Sequence, residues 1–132
     1  MRILLIEDDD LVRTSLSSFI ETVLGHEVTG FNSAEKGLEV LKKQTFPLII
    51  TDLFLPGITG MQFIRKVKKL SRKHTEFVLI SGTGDQTTED EAAKEGILYL
   101  RKPFDINNIV QLMERITRSD DAGALPDDAG GQ

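Results

Sequence analysis

Short apolar runs alternate along this chain with longer stretches whose apolar residues recur every three or four positions, and few folds are compatible with that alternation. Arg2–Ile6, Glu27–Phe31, Leu48–Thr51, Phe77–Ile80 and Ile97–Leu100 have the length of strands. The first reads as a strand buried on both faces and the fourth as a buried strand, the third is rich in branched residues, and the second is weaker. After the first, Leu11, Val12, Leu16, Phe19, Ile20, Val23 and Leu24 recur at helical spacing, and Gly25 is placed to stop that helix. Asn32 or Ser33 can cap a second helix, with Glu35 in its first turn and Leu38 and Leu41 on its buried side. Met61, Ile64, Val67 and Leu70 mark a third. A fourth is expected over about 86–95, although Ala92 and Ala93 are its only clear apolar residues. Asp105 can cap a fifth, with Ile106, Ile109, Met113 and Ile116 on one face. Five strands alternating with five helices imply an α/β fold, a parallel sheet covered by helices on both faces.

A chain of 132 residues has room for one such domain with a real core. We expect it to occupy residues 1–118, and residues 119–132, rich in Gly, Ala and Asp, to form a disordered acidic tail or linker. The net charge is −5, and the tail contributes −4 through Asp120, Asp121, Asp127 and Asp128, so the body carries only −1. A nearly neutral body has no general pull toward nucleic acid or anionic membranes. There are no cysteines, which excludes disulfides, thiolate zinc sites and cysteine nucleophiles. No apolar stretch approaches the ~20 residues that span a bilayer, and the amino-terminal run passes straight into acids without a leader pattern, so a cytoplasmic location is expected.

In an open parallel sheet the binding crevice lies beyond the carboxyl ends of the strands, and the reactive residues of this chain gather there. The first strand runs into Glu7-Asp8-Asp9-Asp10, the third ends at Thr51-Asp52, the fourth at Ser81-Gly82-Thr83, and the fifth leads through Tyr99 to Arg101-Lys102-Pro103. Carboxylates from Glu7, Asp8 and Asp52 in one pocket would repel each other unless a cation sat among them. An all-oxygen acidic cluster suits Mg²⁺, with Mn²⁺ as an alternative. Lys102 adds an ammonium and Ser81 or Thr83 a hydroxyl, and such a set is suited to phosphoryl transfer onto a carboxylate. Each element has a plainer reading. The acids can favour a helix N-terminus, with Asp9 or Asp10 as its cap, and Asp52 can be a turn residue before Pro56 and Gly57. One polar group on each of four strand ends is much harder to explain that way.

The sequence closely resembles the receiver domains of two-component response regulators, the CheY-like superfamily. The resemblance rests on Ile-Leu-Leu-Ile-Glu-Asp-Asp at 3–9, Asp-Leu-Phe-Leu-Pro-Gly-Ile-Thr-Gly at 52–60, Leu-Ile-Ser-Gly at 79–82 and Tyr-Leu-Arg-Lys-Pro-Phe at 99–104. It implies a flavodoxin-like, doubly wound sheet with strand order 2-1-3-4-5. It also implies a phosphoprotein that is not a turnover enzyme and catalyses only its own phosphorylation and dephosphorylation. By the same resemblance Asp52 matches the phosphoacceptor. Glu7 and Asp8 match the acidic pair, Asp8 contacting Mg²⁺ directly and Glu7 through water, and Phe54 would lend its backbone carbonyl to the metal. Ser81 and Tyr99 match the switch pair, Lys102 the phosphate-binding lysine, and Pro103 a position with a cis bond. The implied partners are a sensor histidine kinase or a histidine phosphotransfer protein, together with an unidentified downstream effector. The chain would act as a monomer or a phosphorylation-dependent homodimer, and its readout would lie on the face of the fourth helix, fifth strand and fifth helix.

Three features depart from the family pattern. Gly96-Ile97-Leu98-Tyr99 is shorter and more apolar than the usual approach to the switch tyrosine, which weakens the case for the dimer of regulators fused to winged-helix domains. Phe54 puts an apolar side chain at the mouth of the site, so slow self-dephosphorylation is expected. The acidic pair is Glu-Asp instead of Asp-Asp. Two rival readings fit less well. An aspartyl-phosphate hydrolase resembling the haloacid dehalogenases would need an acid where Phe54 stands, and a phosphate-independent interaction module would not need the full set Asp8, Asp52, Ser81 and Lys102. The basic cluster Arg65, Lys66, Lys68, Lys69, Arg72 and Lys73 reads as the solvated side of a helix, and His26 and His74 as surface residues.

Overall fold

The computed structural model of the chain describes residues 1–70, 74–82 and 86–124, with side chains through 117. The elements run β1 (Arg2–Ile6), α1 (Asp10–Thr22), β2 (Glu27–Phe31), α2 (Ala34–Leu41), β3 (Leu48–Asp52), α3 (Gly60–Leu70), β4 (Glu76–Ser81), α4 (Gln86–Lys94), β5 (Leu98–Arg101) and α5 (Ile106–Ala124). The strands pair in parallel in the order β2-β1-β3-β4-β5, as the flavodoxin-like expectation requires. The winding reverses between β1 and β3, whose register pairs Ile6 with Thr51. That reversal opens a crevice above the two carboxyl ends.

Alternation along the strands sends successive side chains to opposite layers. Leu4, Ile6, Ile49, Phe77 and Leu79 join Ala34 of α2, Met61, Phe63, Ile64 and Val67 of α3 and Ala92 of α4 in one buried cluster. The other parity, Ile3, Leu5, Leu48, Ile50, Val78 and Ile80, is buried as well. Helix α1 packs against β1 and β2 and buries Leu16 and Ile20.

Local signals act largely as read. Asp9 caps α1 by accepting from Val12 N at 3.0 Å, and Ser33, not Asn32, caps α2 through Lys36 N at 3.4 Å. Gly25 and Gly96 take the left-handed conformation, φ 76° and 73°, after α1 and α4. Several apolar positions depart from the spacing, and Leu11 and Val23, read with the first helix, are 75% and 64% exposed. Leu70, at the last turn of α3, is 58% exposed, and Phe63 fills the core in its stead. The basic side of α3 is partly engaged. Arg65 forms an ion pair with Glu95 at 2.6 Å and Lys68 Nζ donates to the Glu95 carbonyl at 2.7 Å, while Arg72 and Lys73 lie outside the described residues. His26 is half-buried, with Nδ1 2.8 Å from the amino terminus. Burial and that charge lower its pKa.

A second unit begins at Pro103 and contains α5. Asp105 and Asn108 cap it reciprocally, each backbone N–H donating to the other's side chain at 2.9 and 3.0 Å. Ile109, Leu112, Met113 and Ile116 form its apolar stripe, whereas Ile106 is 61% exposed. The helix continues through residues 119–124, which composition assigns to the tail, and residues 125–132 lie outside the described residues. Among the described residues no helix is long and apolar enough to cross a membrane.

Candidate functional site

Backbone hydrogen bonds continue the parallel ladder past the strand ends. Glu7 N donates to Phe31 O at 3.0 Å, Leu53 N to Ile80 O at 2.7 Å and Lys102 N to Ser81 O at 2.8 Å. Glu7, Asp52, Ser81 and Lys102 are therefore held at the carboxyl ends of β1, β3, β4 and β5.

Glu7, Asp8 and Asp52 each present a carboxylate oxygen, and these oxygens lie within 4.8 Å of one another. Glu7 and Asp52 are buried and Asp8 is exposed, so the cluster opens to solvent on one side. Lys102 Nζ lies 3.3 Å from Glu7 Oε1 and 3.3 Å from Asp52 Oδ2. The remaining oxygens have backbone donors: Leu53 N reaches Asp52 Oδ1 at 2.9 Å and Asp9 N reaches Glu7 Oε2 at 3.1 Å. Burial pushes the Glu7 carboxyl above its ordinary value and the nearby Asp52 charge adds to this, against the pull of the Asp9 N–H and Lys102. Burial alone would lower Lys102, but the Asp52 and Glu7 charges outweigh it and raise its pKa. Three clustered carboxylates balanced by one ammonium leave an excess of negative charge on hard oxygen donors, and one side is open for water. That donor set fits a magnesium-sized ion.

The other expected residues fall around this centre. Ser81 is fully buried at the end of β4. Phe54 is 57% exposed. Tyr99 is half-buried on β5, and its hydroxyl is buried with no hydrogen-bond partner among the described residues. Thr83, the alternative hydroxyl, lies outside the described residues. Sequence reasoning gave no role to Gly60, the first residue of α3. Its N–H donates to Leu53 O at 2.7 Å, and a Cβ there would overlap the Asp52 carbonyl oxygen and lie 3.1 Å from Leu53 Cα. A glycine directly after the helix-capping Thr59, whose hydroxyl accepts from Gln62 N at 3.1 Å, was the available signal.

A family model, that of the response regulator receiver domain, matches residues 3–114. The chain belongs to this family. The receiver is 34% identical over 117 residues to the response regulator protein FleR of Pseudomonas aeruginosa, covering 86% of this chain and 24% of that protein. To the DNA-binding transcriptional regulator NtrC of Azospirillum brasilense it is 35% identical over 130 residues, covering 97% of this chain and 27% of that protein. It thus spans about a quarter of the length of these two relatives. The crystal structure of a response regulator receiver domain protein from Clostridium thermocellum superposes with a TM-score of 0.78 at 28% identity, covering 90% of this receiver and 96% of that chain. The flavodoxin-like fold and the receiver reading are borne out. Receiver domains serve as phosphoacceptors in two-component signalling and generally bind Mg²⁺ at an acidic pocket.

Proposed function

We propose that Asp52 is the residue that takes the phosphoryl group, from a phosphohistidine on a sensor kinase or a histidine phosphotransfer protein. The observation that carries this reading is the position of Lys102 Nζ, 3.3 Å from both buried carboxylates, in a cluster whose third acid faces solvent. Glu7, Asp8 and Asp52 would hold the divalent ion, with the Phe54 carbonyl as a further donor. The ion, when bound, supplies positive charge beside the transferring oxygens. An Asp52 carboxylate oxygen attacks phosphorus as the phosphorus–nitrogen bond to the donor imidazole breaks, and the imidazole leaves with the bond's electron pair. Lys102 follows the developing charge from Asp52 to the phosphoryl oxygens. Ser81 donates its hydroxyl to the new phosphoryl group, and Tyr99 moves with the loop after β4. The Tyr99 hydroxyl supports this reading, since it is buried without a partner among the described residues and a rearrangement that gives it one is favoured.

The receiver is the substrate of its own chemistry, not a turnover enzyme, and it works in the cytoplasm. It signals to an effector through α4, β5 and α5, as a monomer or as a dimer formed on phosphorylation. Incubation with acetyl phosphate and Mg²⁺, followed by intact mass, should show one added phosphoryl group on the wild type and none on Asp52→Asn. A phosphorylated Asp52→Asn chain would overturn the assignment. In the same samples the phosphoryl group should decay slowly, and faster in Phe54→Asn, where a polar side chain can position water.

A further inference from the structure

The turn that carries the acidic pair crowds Glu7, Asp8, Asp9 and Asp10 into four successive positions. Like charges at that density drive a loop toward open, solvated conformations. Arg13, one turn into α1, opposes this. Its Nη1 donates to the backbone carbonyl of Glu7 at 2.8 Å and its Nη2 to Asp10 Oδ1 at 2.6 Å. One planar group therefore grips the turn at both ends, with Asp8 between them. The Arg13 side chain is 19% exposed, against 84% for Asp10, so this is not a freely solvated surface pair. Its stem lies along β2, where a Cβ at Gly30 would stand 3.4 Å from both Cγ and Cδ of Arg13. Gly30 thus lies in van der Waals reach of the Arg13 stem, which passes along β2 toward the turn.

We propose that Arg13 is a positioning residue for the cation site. By fixing the Glu7 carbonyl and Asp10 it holds the Glu7 and Asp8 carboxylates within ion-sharing distance of Asp52. The proposal rests on the reading that these three acids bind the divalent ion. Its sign distinguishes it from electrostatics alone. A guanidinium near a cation site repels the cation, so simple removal of its charge would tighten metal binding. If positioning dominates, removal weakens binding, as loss of an outer partner that orients ligands commonly does.

The test is Mn²⁺ titration followed by electron paramagnetic resonance of the free ion, with thermal melting of the metal-free chains alongside. The wild type should bind one Mn²⁺ and Asp8→Asn should lose it, which tests the cation site independently of Arg13. Arg13→Ala should bind Mn²⁺ roughly tenfold more weakly. Arg13→Lys, which keeps the charge but not the fork, should fall between the two. Asp10→Asn, which leaves the Glu7 carbonyl contact in place, should lose little. Unchanged or tighter binding by Arg13→Ala would overturn the proposal while leaving the cation site intact. If Arg13→Ala fails to fold, Arg13→Lys decides: a wild-type affinity there overturns it. A wild type that binds no Mn²⁺ overturns both readings.

Discussion

Helices α3 and α4 follow the neighbouring strands β3 and β4, yet different forces hold them. Helix α3 buries Gly60, Met61, Phe63, Ile64 and Val67 and sits against β4 and α2. Helix α4 lies against β5 and buries Ala92 alone. What α4 lacks in apolar contact is replaced by polar tethers: Glu89 pairs with Arg101 of β5 at 2.6 Å, and Glu95, just past its last turn, takes Arg65 and Lys68 from α3. Apolar burial is non-directional, and a packed core rearranges only at high cost. Exposed ion pairs contribute little each and can be exchanged for others. The helix whose first residue packs against the Asp52 backbone is thus fixed, and the helix expected to report the state of Asp52 is held by contacts that are inexpensive to break. That contrast is the physical requirement for a switch with a rigid acceptor and a mobile readout.

The sharpest way to break the contrast is to remove the anchor of α3. Phe63 is fully buried, so Phe63→Ala should cost about 3–5 kcal/mol in urea unfolding. A loss comparable to that of a surface substitution would show that α3 is no better anchored than α4.

Much of this was legible in the sequence because the signals are local. The strand runs, the capping aspartates and the strand-end acids fall where the periodicity puts them, and α4 was recognisable as thin from Ala92 and Ala93, of which only Ala92 is buried. What was not legible depends on tertiary approach. Nothing local distinguishes Leu70 from Val67, yet the fold buries Val67 and leaves Leu70 58% exposed. Gly60 reads as an ordinary helix start until the Asp52 carbonyl comes into view. Arg13 and Arg101 drew no role from the sequence because the carbonyl and the carboxylate they reach are set by folding. The composition of residues 119–124 suggested disorder, yet they continue α5.

Glu7 applies the same contrast within the site, since it is as buried as Phe63 but its burial costs stability. Its pKa is raised by burial and by Asp52, so the folded state holds the proton more tightly than the unfolded state does. The stabilising contribution of that proton is full below the ordinary value of 4.5 and is lost as pH rises through the raised folded value. Once ionised, Glu7 is therefore a net burden, and above its titration Glu7→Gln should melt higher than the wild type while binding Mg²⁺ more weakly. The effect should be smaller than that of Phe63→Ala and opposite in sign. The gap between variant and wild type should close as pH is lowered below 4.5, and a gap that widens on acidification would contradict this account.

The smallest expected effect on stability tests the other side of the comparison. Arg101→Ala removes a pair whose partners are 51% and 39% exposed, so global stability should fall by less than about 1 kcal/mol. Because Ala92 is the only buried residue of α4, however, that pair is a large share of what holds the helix down. Amide exchange in α4 should quicken clearly while exchange in α3 stays at its wild-type rate, and Glu89→Gln should reproduce the pattern. Equal acceleration in both helices would mean that they form one cooperative unit. The difference in their packing would then have no dynamic consequence, and the division into a fixed helix beside the acceptor and a loosely held readout would fail.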